Sequence, residues 1–194
     1  MGRYWEDRYK SGRNSGEGSY GESAKYKANV INDYISKLDI KTIGDYGCGD
    51  GNQISLLSGF ELYYGYDISN FIIDANIVKF ADKRNMFFYK NIIDLPECDL
   101  NLSLDVLYHI CPESEYITYL TNLFNKSKKY VLIYSTNRDE DFELTDENDY
   151  AYHRKFKDWV EKNILDFELA EKLDNPLYNV DAGAVNFYLY KRNK

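Results

Sequence analysis

An α/β fold, a mostly parallel sheet with helices on both faces, is predicted by three observations. Apolar runs of strand length alternate with segments whose apolar residues recur at helical spacing. One run, Tyr130 to Tyr134, is continuously apolar, as in a parallel strand buried on both faces. The first strand signal runs into the glycine cluster Gly47-Cys48-Gly49-Asp50-Gly51, as in a turn from a strand into a helix beside a ligand.

Each element follows in order. Ser11 to Gly21 (SGRNSGEGSYG) is rich in Gly and Ser and reads as a loop. A helix is predicted over Glu22 to Lys37, with Ala24, Lys27, Ile31, Tyr34, Ile35 and Leu38 at helical spacing and Ser19 or Ser23 as cap. Lys41 to Tyr46 reads as a strand, followed by the glycine cluster and a helix beginning near Asn52. A second strand, Leu62 to Tyr66, ends at Asp67, and helix signals return over Asn70 to Phe80. Asn85 to Tyr89 and Leu100 to Leu104 are the third and fourth strands. Glu113 to Asn125 is a helix, with Tyr116, Leu120, Leu123 and Phe124 on one face. After the Tyr130 strand, the acidic interval Asp139 to Asp149 reads as a solvated loop, with a lid over the substrate as the functional alternative. Phe156, Trp159, Val160 and Ile164 mark a last helix, and Phe167 to Leu173 and Val185 to Tyr190 two final strands.

Composition narrows the function classes. The 194 residues suit one domain, and 44% hydrophobic content argues against global disorder. No apolar run approaches the roughly 18 residues of a membrane helix, and Met1 to Asp7 does not read as a secretory signal. The position where a myristoylation motif needs Ser or Thr holds Glu6. A cytoplasmic protein without membrane insertion is therefore expected. The net charge of -8 speaks against a nucleic-acid partner, whose phosphates demand a basic face. Cys48, Cys98 and Cys111 form no paired motif, so reduced thiols and no metal site are expected.

In such sheets ligands bind beyond the carboxyl ends of the strands, which directs attention to the residues after Tyr46, Tyr66, Tyr89 and Leu104. The loop after Tyr46 has the spacing G-x-G-x-G; a nicotinamide fingerprint would place a third glycine where Asn52 stands. By itself it could be a generic tight turn. Asp67, at the end of the next strand, can accept hydrogen bonds from both ribose hydroxyls of a nucleoside, or cap a helix in competition with Ser69. The two features together are more specific than either alone. The chain has only two histidines. His109 follows the fourth strand, where it could take a proton from an acceptor or pack on the next helix. His153 and Arg154 precede the last helix, where they could bind an anionic acceptor or face solvent.

These residues resemble the glycine motif and ribose-binding acid of class I S-adenosylmethionine (SAM) dependent methyltransferases. The resemblance covers nearly the whole chain and implies a Rossmann-like fold, a seven-stranded sheet with a reversed last strand. It implies SAM as cofactor, S-adenosylhomocysteine (SAH) as product, and a single domain over 1–194, with an N-terminal cap or lid and helix over 1–38 and the core over 39–194. By it, Asp45 faces the methionine part of SAM, with Gly47, Cys48 and Gly49 against it. Asp67 and Ile68 hold the ribose end, the segment Asn91 to Asp94, including Ile92, borders the adenine, and Asp105 in LDVLYH sits beside the sulfonium. Ser15 to Tyr20 folds over the cofactor, Tyr4, Trp5, Arg8 and Tyr9 form a wall, and Tyr20, Tyr108 and Arg154 serve the acceptor.

A narrower resemblance, carried by YWEDRY, SGRNSGEGSYG, GCGDGNQ, LDVLYHI, YVLIYSTN and HRKFKDWV, is to small bacterial methyltransferases found with surface-polysaccharide and glycosyltransferase genes. It implies O-methylation of a sugar or sugar-linked group, a phosphoramidate or phosphate oxygen included, for capsular polysaccharide, with His109 and His153 as catalytic candidates. Three other readings are weaker. Base-amine methyltransferases show an Asn/Asp-Pro-Pro-aromatic motif where this chain reads Asp105-Val106-Leu107-Tyr108. A non-catalytic SAM-binding module would more naturally have lost the glycine motif, and a nicotinamide oxidoreductase conflicts with the glycine spacing.

Overall fold

β1 (Thr42–Tyr46) lies inside the sheet, because the next strand and the third strand after it both pair with it in parallel. The computed structural model of the chain describes residues 2–138, 141–146, 149–177 and 184–193, with the backbone alone for 141–146 and 149–150. In chain order the remaining elements are α1 (Gly2–Lys10), α2 (Gly21–Lys37), β2 (Leu62–Tyr66), α3 (Asn70–Lys79), β3 (Met86–Tyr89), β4 (Cys98–Leu104) and α4 (Glu113–Asn125). They continue with β5 (Ser127–Ser135), β6 (Asp141–Asp146), β7 (Asp149–His153), α5 (Phe156–Asn163), β8 (Phe167–Leu173) and β9 (Asn186–Arg192).

Seven strands form one sheet in the order β3-β2-β1-β4-β5-β9-β8. β9 alone runs antiparallel to both its neighbours, so the sheet is parallel except for that strand. The order reverses between β1 and β4, and the crevice above that switch point is where such sheets bind ligands.

The period of two along each central strand divides the core between two faces. Ile43, Leu100, Leu102, Leu132, Phe187 and Leu189 pack beneath α2 and α3, against Ile31, Ile35 and Ile73. Tyr46, Val131, Ile133, Tyr188 and Tyr190 pack on the other face, beneath Leu120, Leu123 and Phe124 of α4 and Phe156 and Val160 of α5. Polar residues on the α4 face are bonded in place: Asn101 donates to the Leu123 carbonyl at 2.7 Å, and Ser103 and the Tyr119 hydroxyl lie 2.8 Å apart.

Three expectations need correction, and one helix went unforeseen. The helix foreseen from Asn52 is a single 3₁₀ turn, Ile54–Leu56. Its polar side chains are committed elsewhere, Asn52 to the Ser19 carbonyl at 2.6 Å and Gln53 to the Ala24 carbonyl at 3.2 Å, and the chain turns away at Leu57 and Gly59. α1 was not foreseen as a helix. The N-cap of α2 is Tyr20, without a side-chain capping bond, rather than Ser19 or Ser23. Within the acidic interval, Asp141–Asp146 and Asp149–His153 pair as an antiparallel hairpin instead of a loop. Its apolar residues Phe142 and Leu144 alternate with Asp141 and Glu143, a strand pattern that the charge obscures. Residues 139, 140, 147 and 148 of that interval lie outside the described residues. No helix among the described residues is long and apolar enough to cross a membrane.

Candidate active site

The loop after β1 is shaped by the segments pressing on it. Gly47 has φ 93 and Gly49 φ 54, both left-handed. The N–H groups of Gly47 and Cys48 donate to the Tyr66 carbonyl at 2.7 and 2.9 Å, tying the loop to the end of β2. A Cβ on Gly47 would stand 2.5 Å from Cγ2 of Val106, in the chain leaving β4. A Cβ on Gly49 would overlap the Ser15 hydroxyl and lie 3.2 Å from that of Tyr9. Hydrogen there lets the two strand ends and the N-terminal segment close around one space.

Two buried carboxylates lie at the ends of adjacent strands. Asp45 accepts the Tyr63 hydroxyl at 2.8 Å, and burial raises its pKa to about 6. Asp67 accepts Gly49 N–H at 3.0 Å on one oxygen and Ser69 N–H at 2.9 Å on the other, and burial lifts it also to about 6. Ser69, not Asp67, caps α3, accepting from Ile72 N–H at 3.3 Å. Each Asp67 oxygen keeps a further lone pair for a donor from the cavity.

The N-terminal segment is fastened across this space. Glu6 of α1 accepts the Ser69 hydroxyl at 2.6 Å and Phe71 N–H at 3.1 Å, and these bonds hold its pKa at about 2. Ser15 and Asp50 bond reciprocally: Ser15 N–H donates to the carboxylate at 2.8 Å, and Asp50 N–H donates to the hydroxyl at 2.9 Å. The Tyr20 hydroxyl donates to the same Asp50 oxygen at 2.9 Å.

Beyond β4 stands Asp105, with φ 59, a conformation that costs a residue with a Cβ roughly 1–2 kcal/mol. Its carboxylate accepts Lys27 Nζ at 2.6 Å and the Tyr108 hydroxyl at 2.8 Å. Lys27 is only 1% exposed. It belongs to the apolar stripe of α2 read from the sequence, but its place in the site was not anticipated; a lysine inside an apolar stripe is the signal that could have revealed it.

A cavity of about 610 Å³ lies over the switch point, lined by the glycine loop, Ser15 to Ser19, Asp45, Asp67, Ile68, Ile92, Lys27, Asp105, Tyr108 and His109, with Trp5, Arg8 and Tyr9 of α1 as one wall. His109 sits edge-on to Trp5, ring centroids 5.2 Å apart, and 4.7 Å from the Tyr108 ring. Cys48 is a buried wall residue whose thiol pKa burial raises.

Other residues singled out in the sequence lie outside this cavity. His153 is buried behind Tyr108, with Nδ1 2.7 Å from the Thr136 hydroxyl. Arg154 donates to the carbonyls of Ile110 at 2.8 Å and Cys111 at 2.6 Å, with its guanidinium between Tyr116 and Tyr152. It is thus neither solvent-facing nor in the cavity, but fastens the wall segment after β4 to the β6–β7 hairpin. Arg154→Ala should cost about 2–4 kcal/mol of stability, read by denaturant unfolding, because two carbonyls lose a charged donor and a gap opens between the rings. Tyr4 and Tyr20 do not line the cavity, and Asn91 is exposed, its side chain accepting Ile93 N–H at 3.3 Å. Among the described residues, no group of three or more His, Cys, Asp or Glu could hold a metal ion.

No family model and no curated protein matches the chain. Solved structures do resemble it. The 1,6-didemethyltoxoflavin-N1-methyltransferase of Burkholderia thailandensis, with bound 1,6-didemethyltoxoflavin and SAH, is similar with a TM-score of 0.72 at 15% identity, covering 100% of this chain and 87% of that one. Magnesium protoporphyrin IX methyltransferase from Synechocystis PCC 6803, with bound SAM, has a TM-score of 0.67 at 16% identity, covering 99% and 97%. The N-methyltransferase NodS from Bradyrhizobium japonicum WM9, in complex with SAH, has a TM-score of 0.66 at 12% identity, covering 89% and 88%. The chain therefore has the Rossmann-like fold of class I methyltransferases.

Proposed function

We propose that this chain is a SAM-dependent methyltransferase that methylates a hydroxyl of a sugar or sugar-linked small molecule. The observation that carries this reading is the cavity at the switch point, where the glycine loop, a buried strand-end carboxylate and the strained Asp105 meet. The residues present suit the cofactor: without a Cβ at Gly47 and Gly49, Val106 and Ser15 close against the glycine loop and shape the cavity, and Asp67 retains acceptor capacity. The volume lies in the range of small-molecule cofactor sites, roughly 300–1,000 Å³.

Bound there, SAM would supply a methyl group already activated by its positive sulfur. The protein's part is to align the acceptor and exclude water. Asp45 and the glycine loop would hold the methionine portion, Asp67 the ribose hydroxyls, and Ile68 and Ile92 the base. Trp5, Tyr108 and His109 would form the acceptor wall, with His109 taking the hydroxyl proton. With His153 and Arg154 outside the cavity, the support for an anionic phosphate or phosphoramidate acceptor weakens, so a neutral hydroxyl is favoured.

Calorimetric titration with SAH, with NADH as control, tests the cofactor class: binding of SAH alone is the expected result, and no SAH binding would count decisively against the reading. Once an acceptor is found, His109→Ala should slow turnover about 10²–10⁴-fold while SAH affinity stays within threefold; full turnover removes His109 from the mechanism.

The buried carboxylates give a pH dependence. Protonation of Asp67 as pH falls through about 6 removes the charged acceptor, so SAH affinity should drop, approaching tenfold per unit below that point. Titrations between pH 7.5 and 5 check this, and a flat profile would exclude an ionised Asp67 as ribose acceptor. The sign for folding is opposite. Burial raises Asp45 and Asp67 above their unfolded values, so their protonation favours the folded chain as pH falls from about 6 towards 4.

A further inference from the structure

The ion pair between Lys27 and Asp105 is an expensive feature that the fold does not require. Its lysine occupies a place on the buried stripe of α2 that an apolar side chain would fill, so both charges are drawn largely out of water. Its aspartate also bears a left-handed backbone, φ 59. Both costs fall at the carboxyl end of β4, on a residue that lines the cavity and whose successor, Val106, presses on Gly47. The segment Ser15 to Ser19 closes over the same carboxylate: a Cβ on Gly18 would stand 3.2 Å from Oδ2 of Asp105. Lys27 is held on the other side 5.3 Å from the centre of the Tyr134 ring.

The charge lining the cavity is unbalanced. Glu17, Asp45, Asp50, Asp67, Asp105 and Glu115 contribute carboxylates, against the cations Arg8 and Lys27. Arg8 is turned to the Asn14 carbonyl at 2.7 Å and the Tyr4 hydroxyl at 3.0 Å. Lys27 is therefore the cation that directly opposes the carboxylate after β4.

We propose that Lys27 and Asp105 together set the charge at the methyl-transfer point, and so decide how strongly the cavity prefers cationic SAM over its neutral product SAH. The proposal rests on the methyltransferase reading. The two ligands differ by one methyl group and one positive charge, so the ratio of their affinities reports the field at the sulfur. Asp105 attracts that charge, so a cofactor that has lost it is held less firmly and can leave, and Lys27 tempers the attraction so that the difference stays moderate.

The test is calorimetric titration of the full chain with SAM and with SAH, in the wild type, Asp105→Asn, Lys27→Met and the double variant. Asp105→Asn should lower the preference for SAM tenfold or more, because a unit charge within roughly 12 Å changes the relative affinity by at least about that factor at an effective dielectric constant near 20. Lys27→Met should raise it several-fold, and the double variant should fall between the two. A purely structural pair would weaken both ligands alike and leave the ratio unmoved; that result, or shifts of the same sign in the two single variants, overturns the proposal. If Lys27→Met does not fold, Asp105→Asn and the double variant, which removes both charges together, still decide it. A wild type that binds neither SAM nor SAH overturns the methyltransferase reading, whereas binding with an unchanged ratio overturns this inference alone.

Discussion

Asp67→Ala lowers affinity for SAH about 100-fold or more, as the expected result of a calorimetric titration. Two costs combine. The ribose hydroxyls lose a charged acceptor, at about 1.5–3 kcal/mol for a bond of that kind. The N–H groups of Gly49 and Ser69, which donate to Asp67 at 3.0 and 2.9 Å, are also left without their acceptor in a buried place. The glycine loop then loses one of its links to the end of β2, keeping those from Gly47 and Cys48 to the Tyr66 carbonyl. Asp67→Asn should fall in between, since the amide keeps one acceptor oxygen and loses the charge. An Asp67→Ala variant that folds and binds SAH within threefold of the wild type would show that the nucleoside lies elsewhere.

Gly47→Ala should abolish detectable SAH binding and lower the melting temperature. A Cβ there lies 2.5 Å from Val106 Cγ2, and φ 93 is a conformation that an L side chain rarely adopts. The variant must move either the glycine loop or the chain leaving β4, and both border the cavity. The double variant Gly47→Ala/Val106→Ala separates these causes. It removes the steric overlap and leaves the backbone strain, so it should regain part of the stability. A Gly47→Ala protein with wild-type affinity and melting temperature would mean that the loop relaxes freely and that its tight geometry has no bearing on binding.

The strands were legible because their signal is local. Alternation and continuous apolar runs located β2, β8 and the centre of β5, and helical spacing located α4 residue for residue. The glycine cluster and Asp67 were equally legible, since a turn needing positive φ and an acid at a strand end leave marks in single residues. The segment after Gly51 misled because Asn52 and Gln53 do not belong to a helix; they reach Ser19 and Ala24, remote in sequence. The acidic interval misled because charge density masked an alternation of period two. His153 and Arg154 looked accessible beside a helix start, yet Arg154 spends its donors on the Ile110 and Cys111 carbonyls.

The sequence by itself determined the seven strands of the main sheet and α2 to α5 along the chain, the glycine turn after β1 and the acids at the strand ends, because backbone permissiveness, side-chain period and residue type act over a few neighbours. Only the tertiary structure decided which residues meet. It brought Lys27 from α2 to Asp105 after β4, laid α1 and the Ser15–Ser19 strap against the glycine loop, and kept His153 and Arg154 out of the cavity. Those pairings depend on crossovers that join residues far apart in the chain, and on competition among partners for a few buried donors and acceptors, which no local pattern encodes.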